Sequence, residues 1–198
     1  AIISITIDTV NNKAFAGSFG GFMYIIELNG LPNSLTVIGT YVAYDKVEGI
    51  FVNGGICYLA ERDYGLEIVN VSDYTFPVSI SSANTPGEAF EVTVINNIAY
   101  VADGTAGVSI FDVSNNQNPL YVGTVDCVDA VVDICSSQSR IFTAESTYGV
   151  ECLNILSPLS PGIIGSYKTP TSPFGVFSVN NVLYVANGSD GLTILSTT

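Results

Sequence analysis

Residues 90–126 read FEVTVINNIAYVADGTAGVSIFDVSNNQNPLYVGTVD. Turn-rich pieces separate four short runs of alternating or continuous apolar residues, which is the pattern of one four-stranded unit. The unit recurs. Ala60, Ala102, Ala144 and Ala186 fall 42 residues apart without a slip, and a period of this length is an internal repeat that decides the fold before any side-chain chemistry is weighed. An aromatic column runs through Phe15, Tyr58, Tyr100, Phe142 and Tyr184, and a turn column through Gly65, Gly107, Gly149 and Gly191, with Phe22 in the first copy. Two aliphatic columns agree: Met23, Leu66, Val108, Val150 and Leu192, then Ile25, Ile68, Ile110, Cys152 and Ile194. Pro77, Pro119 and Pro161 open the fourth run, where a missing N–H is tolerated if that run is the outer edge of its sheet. The first copy has Ser34 there.

Units of this size cannot bury both faces of their sheet alone, so they stack radially as blades of a β-propeller. The alternative is a linear β-solenoid, whose coils are usually shorter and rarely carry four strands and an edge proline. The expected fold is all-β: one propeller over residues 1–198, with blades at about 1–43, 44–86, 87–128, 129–170 and 171–198. Residues 61–73 (ERDYGLEIVNVSD), 100–123 (YVADGTAGVSIFDVSNNQNPLYVG) and 184–196 (YVANGSDGLTILS) resemble the LVIVD repeat, a family of propeller-blade units. The resemblance covers nearly the whole chain. It implies the same fold and, from the family's usual setting, a bacterial or archaeal surface or secreted protein of unassigned activity. The first copy departs most, with Gly17 for the alanine and Phe22 for the glycine.

Composition narrows the setting. A chain of 198 residues can bury roughly 70% of its unfolded surface in one domain, and an apolar content of 47% supplies the core. Only 12% of residues are charged, about half the usual share. A surface of Ser, Thr, Asn, Gly and Tyr suits an extracellular or cell-surface protein, or one packed against copies of itself, because sparse charge does little to resist association. The net charge of −13 sets 18 carboxylates against Lys13, Lys46, Arg62, Arg140 and Lys168. Five dispersed cations cannot neutralise a phosphate backbone, so nucleic acid is not an expected partner. The sequence shows no initiator Met, no signal peptide and no apolar run near the length of a membrane span, which fits either a mature product or part of something longer. Asn70-Val71-Ser72 and Asn187-Gly188-Ser189 are glycan acceptor triplets on an exported protein, and turn residues otherwise.

With no histidine, Ser–His–Asp and Cys–His nucleophile systems and histidine-ligated metals are excluded. Cys57, Cys127, Cys135 and Cys152 lack the close pairing of a zinc or iron–sulfur site. Cys57 and Cys152 align with core positions, while Cys127 and Cys135 bracket one inter-blade link and are either a disulfide or two thiols. Carboxylates cluster in the links entering the inner strands: Asp45 and Glu48, Glu88 and Glu91, then Asp126, Asp129 and Asp133. In a propeller these links gather at one rim of the channel, where Glu48, Glu91 and Asp133 are candidates to hold Ca²⁺; the bland reading is a solvated acidic rim and no cofactor. A second ring, Ser18, Glu61, Asp103, Glu145 and Asn187, follows the second strand of every copy. It is expected to hydrogen-bond the adjoining turn. Asp112, with Asn70 and Asn154 at equivalent positions, reads as turn chemistry.

Counting strands exposes an anomaly. Outer strands occur near 35–41, 77–83, 119–125 and 161–167, and the fifth is missing after LTILS at 192–196. A strand carrying Leu192 and Ile194 is then an open edge. The segment Ala1, Ile2 and Ile3 is the internal candidate to pair with it from a neighbouring copy. These features favour a non-enzymatic structural or interaction propeller whose partners are copies of itself or other surface proteins. The alternative is a ligand-binding or hydrolytic propeller using the acidic rim.

Overall fold

A computed structural model of the chain describes residues 1–28 and 35–197; Ser34 lies outside them. Five antiparallel sheets surround one channel. Blade 1 is built from β1 (Ile2–Asp8), β2 (Lys13–Ser18), β3 (Phe22–Glu27) and β4 (Thr36–Val42). Blade 2 has β5 (Gly49–Asn53), β6 (Ile56–Glu61), β7 (Gly65–Asn70) and β8 (Val78–Ala83), and blade 3 has β9 (Glu91–Ile95), β10 (Ile98–Ala102), β11 (Val108–Asp112) and β12 (Leu120–Val125). Blade 4 comprises β13 (Val131–Ser137), β14 (Arg140–Glu145), β15 (Gly149–Asn154) and β16 (Gly162–Lys168). Blade 5 comprises β17 (Gly175–Val179), β18 (Val182–Ala186) and β19 (Leu192–Ser196). Strand order within each blade follows the chain, so every blade is a meander. Blade 5 is a three-stranded sheet among the described residues.

Local chemistry explains the turns. The first hairpin of blades 2, 3 and 5 closes on Gly54-Gly55, Asn96-Asn97 and Asn180-Asn181, all with positive φ. Two such residues in succession make the tight turn whose twist matches the flanking strands. The second hairpin uses glycine at Gly65, Gly107, Gly149 and Gly191, each with positive φ. In blade 1 this duty moves one residue earlier, to Gly21 (φ 73°), which frees position 22 for Phe. Every outer strand carries a bulge at the same place, beside Ile25/Ile26, Ile68/Val69, Ile110/Phe111 and Cys152/Leu153. A bulge increases local twist, and its repetition keeps the four complete blades alike.

The core is distributed between blades. The columns Phe15, Met23 and Ile25 of blade 1 pack on Ile50, Leu59 and Val69 of blade 2. Tyr58, Leu66 and Ile68 pack in the same way on Val92, Val101 and Phe111 of blade 3. Tyr100, Val108 and Ile110 then meet Ile134, Ile141 and Leu153 of blade 4, whose Phe142 and Val150 meet Val176, Leu183 and Val185 of blade 5. Each blade therefore has a forward face and a rear face. Full burial of one such side chain contributes about 1.5–3 kcal/mol, so four blade–blade cores dominate the stability. The fifth junction is unsealed. Ile5 of β1 and Phe177 of β17 border the same channel yet are 65% and 62% exposed.

Candidate functional site

The inner strands enclose a channel of about 700 Å³ with residues from all five blades on its wall. Glu91 and Asp133 stand there, but Glu48 does not join them. Glu48 pairs with Arg62 at 3.1 Å, and the same guanidinium reaches Glu88 at 2.8 Å and lies over the Phe90 ring. The expected three-carboxylate cation site is therefore not assembled, because its first member is held on the rim by an arginine. Glu91 Oε1 accepts the Val92 N–H at 2.9 Å, while Asp133 accepts from Ile134 and, across the blade boundary, from Val176 at 2.7 Å. Burial lifts the Asp133 carboxyl to about 6. Burial, then the nearby Asp133, holds Glu91 well above the usual carboxylate range. Their contacts tie neighbouring blades together. The position repeats as Ser4, Gly49, Glu91, Asp133 and Gly175, and a Cβ on Gly49 would come within 2.5 Å of Glu91 Cα.

The second ring does what its recurrence implies and more. Each member sits at or just after the end of a second strand. Three side chains bind the incoming link: Glu61 Oε2 accepts from Tyr44 and Asp45, Asp103 from Gly87, and Glu145 from Asp129; Ser18 Oγ instead accepts from Phe22 in the adjoining turn, and Asn187 accepts from Thr171 through its backbone carbonyl. Six residues on, a partner faces it from the third strand: Glu67, Ser109, Glu151 and Thr193. Ser109 donates to Asp103 at 2.7 Å, and Asn187 Nδ2 donates to Thr193. In blade 2 both partners are carboxyls. Glu67 Oε1 accepts from Tyr41 and Ser79, leaving buried Glu67 Oε2 and Glu61 Oε1 without other partners. A proton shared between these oxygens satisfies both. Burial, aided by Glu67, raises Glu61 to about 9. Burial likewise lifts Glu145, beside Glu151, to about 7. The i, i+6 spacing was the available sequence signal for these pairs.

Cys127 and Cys135 are free thiols, so the disulfide does not form. Cys127 turns to Glu145 and Glu151, with its sulfur and their carboxyl oxygens within 4.8 Å of one another, whereas Cys135 lies on the channel wall. Thr85 and Thr169 hold the Cys127 position in the links that lead into blades 3 and 5. Of the glycan acceptors, Asn70 is exposed at a strand end with its Oδ1 accepting from Ser72. Asn187 is fully buried with its amide engaged, which removes it as an acceptor. Asp112 and Asn154 likewise accept from backbone N–H groups two residues on.

The open end is the least symmetric part of the molecule. Among the described residues β19 pairs with β18 alone. Beside it a groove of about 320 Å³ runs between blades 4 and 5, lined by Phe142, Cys152, Ile164, Tyr167 and Leu195 among others. Ile164 is 56% exposed there. At the complete junctions the equivalent place is filled by the segment that joins the third and fourth strands of the next blade: Tyr74 packs on Phe15, Asn116 accepts from Tyr58, and the Pro158 carbonyl accepts from Tyr100. Ala1, Ile2 and Ile3 are not free to pair with β19. Ile2 and Ile3 belong to β1, with Ile2 opposite Ser18, and the Ala1 carbonyl accepts from Phe19. The expectation that this segment donates a strand is corrected accordingly: it is the inner strand of its own blade. No helix among the described residues is long and apolar enough to cross a membrane.

These features define a β-propeller. The LVIVD repeat matches residues 45–85 and 86–127, which are blades 2 and 3, and so the chain carries LVIVD repeats. No curated protein matches it. Among solved structures it is similar to the computationally designed Ika8 protein, with a TM-score of 0.76 and 7% identity over 99% of this chain and 58% of that one. A functionally unknown protein from Desulfotomaculum acetoxidans DSM 771 aligns with a TM-score of 0.78 and 12% identity, over 100% of this chain and 69% of that one. U3-55K aligns with a TM-score of 0.75 and 14% identity, covering 98% and 62%. At these identities the likeness is one of fold. The chain spans less than two thirds of Ika8 and of U3-55K.

Proposed function

We propose that the protein is a non-enzymatic interaction propeller of the cell surface or extracellular space, which associates with copies of itself or with other surface proteins by accepting an extended strand at β19. The observation that carries this reading is the edge of β19 lying beside an apolar groove. Main-chain hydrogen bonds to an added strand give affinity, and pockets for alternate side chains give selectivity. The sparse charge and missing histidine agree with a role in association. A peptide copying residues 118–126, which contain the outer strand β12, is the simplest stand-in for the missing strand. It is expected to bind the purified chain and raise its melting temperature with the logarithm of peptide concentration above the Kd, because it binds only the folded edge. A melting curve indifferent to the peptide, with no binding by fluorescence anisotropy, removes strand acceptance.

A further inference from the structure

The forward face of blade 5 repeats, residue for residue, surfaces that are buried elsewhere in the molecule. Leu192 and Ile194 are 59% and 60% exposed, whereas their counterparts Met23, Leu66, Val108 and Ile25, Ile68, Ile110 are 0–2% exposed. Tyr184 is half-buried where Phe15, Tyr58, Tyr100 and Phe142 are buried. Blade 1 offers the complementary case on its rear face. Ile5 is 65% exposed, while its counterparts Ile50, Val92, Ile134 and Val176 are all at 8% or below. The molecule thus carries one half of a blade–blade core at each end, and four examples of how the two halves fit.

We infer that blade 5 of one copy packs its forward face, centred on Tyr184, Leu192 and Ile194, against the rear face of blade 1 of a second copy, centred on Ile5. The inference rests on the association proposed above and names a surface and a partner separate from the groove. Residues 171–198 hold a single charged residue, Asp190, so the face brings little of the chain's net charge of −13 into contact. The two surfaces differ, which makes the contact heterologous: it closes into a ring or propagates as a filament.

The arrangement is tested with the whole chain, Ile194→Asp and Ile5→Asp, both substitutions falling at exposed sites, with folding checked by circular dichroism. By light scattering after gel filtration, the parent is expected to form oligomers and each variant to run as one chain of about 20.8 kDa. Ile194→Asp keeps an intact rear face and Ile5→Asp an intact forward face. Their mixture should yield a dimer and nothing larger, the signature of one functional heterologous junction. If Ile5→Asp associates as the parent does, or the mixture stays monomeric, head-to-tail docking is wrong; binding of the 118–126 peptide still reports separately on strand acceptance at β19. A parent that stays monomeric at all concentrations overturns docking and self-association together.

Discussion

Glu61 and Glu67 show how a residue that looks like surface acid becomes internal structure. Glu61 keeps its proton in the fold to about 9 against an ordinary 4.5, so between these values the unfolded chain binds fewer protons than the native one. Stability from this group is complete below about 4.5 and is lost as the pH rises toward 9, at most by about 1.4 kcal/mol for each pH unit. Glu61→Gln preserves the acceptor for the 44–45 link and donates an amide to Glu67 in place of the shared proton. Denaturant melts at pH 5, 7 and 9 should show a flatter pH dependence for the variant than for the parent. Unchanged dependence would mean that the proton lies elsewhere. The sequence revealed the ring containing Glu61 through its recurrence in every copy. It concealed the proton, because the second carboxyl is across a hairpin and pairing depends on burial. The choice between a disulfide and two thiols at Cys127 and Cys135 stayed open in the sequence for a related reason: spacing along a link does not say which way two side chains turn.

At the scale of the element, the repeat made strands and their order readable while leaving the inter-blade fit unread. The apolar columns identify second and third strands because both their faces are covered, and the proline column marks the outer strands. Inner strands are harder, since the start of β5 is fitted to the backbone of the neighbouring blade. Gly49 is the clearest case, with Glu91 Cα 2.5 Å and Phe90 O 2.7 Å from where a Cβ would stand. Gly49→Ala forces β5 away from β9 and is expected to destabilise by about 1–3 kcal/mol, the range for overpacking a tight contact; a melting temperature within error of the parent's would show that the two strands slide apart at no cost. The turn Asn96-Asn97, which the repeat columns do not single out, shows its left-handed conformation in φ values of 50° and 63°.

For the whole molecule, an incomplete circle makes stability uneven. Blades 2, 3 and 4 are clamped on both faces, while blade 5 is clamped on one. In a stack held by nearest-neighbour contacts, opening begins where a neighbour is missing. Hydrogen exchange on the monomeric Ile194→Asp variant should therefore release the amides of β18 well before those of β10, although the two strands hold equivalent places. Equal protection would point to a single cooperative unit spanning all five blades. The open edge at 192–196 was legible from the strand count, whereas the exposed faces were not, since the same columns appear in blade 5 as in blades that bury them. The uniform period carries one more consequence. Because every junction uses the same columns, the molecule counts length in whole steps: removing residues 87–128 would bring the forward face of blade 2 to the rear face of blade 4 with matching side chains, whereas losing one residue inside a strand turns its buried side chains outward. Variation in size by entire blades is thus the cheap kind of change for this architecture, and variation within a blade the costly one.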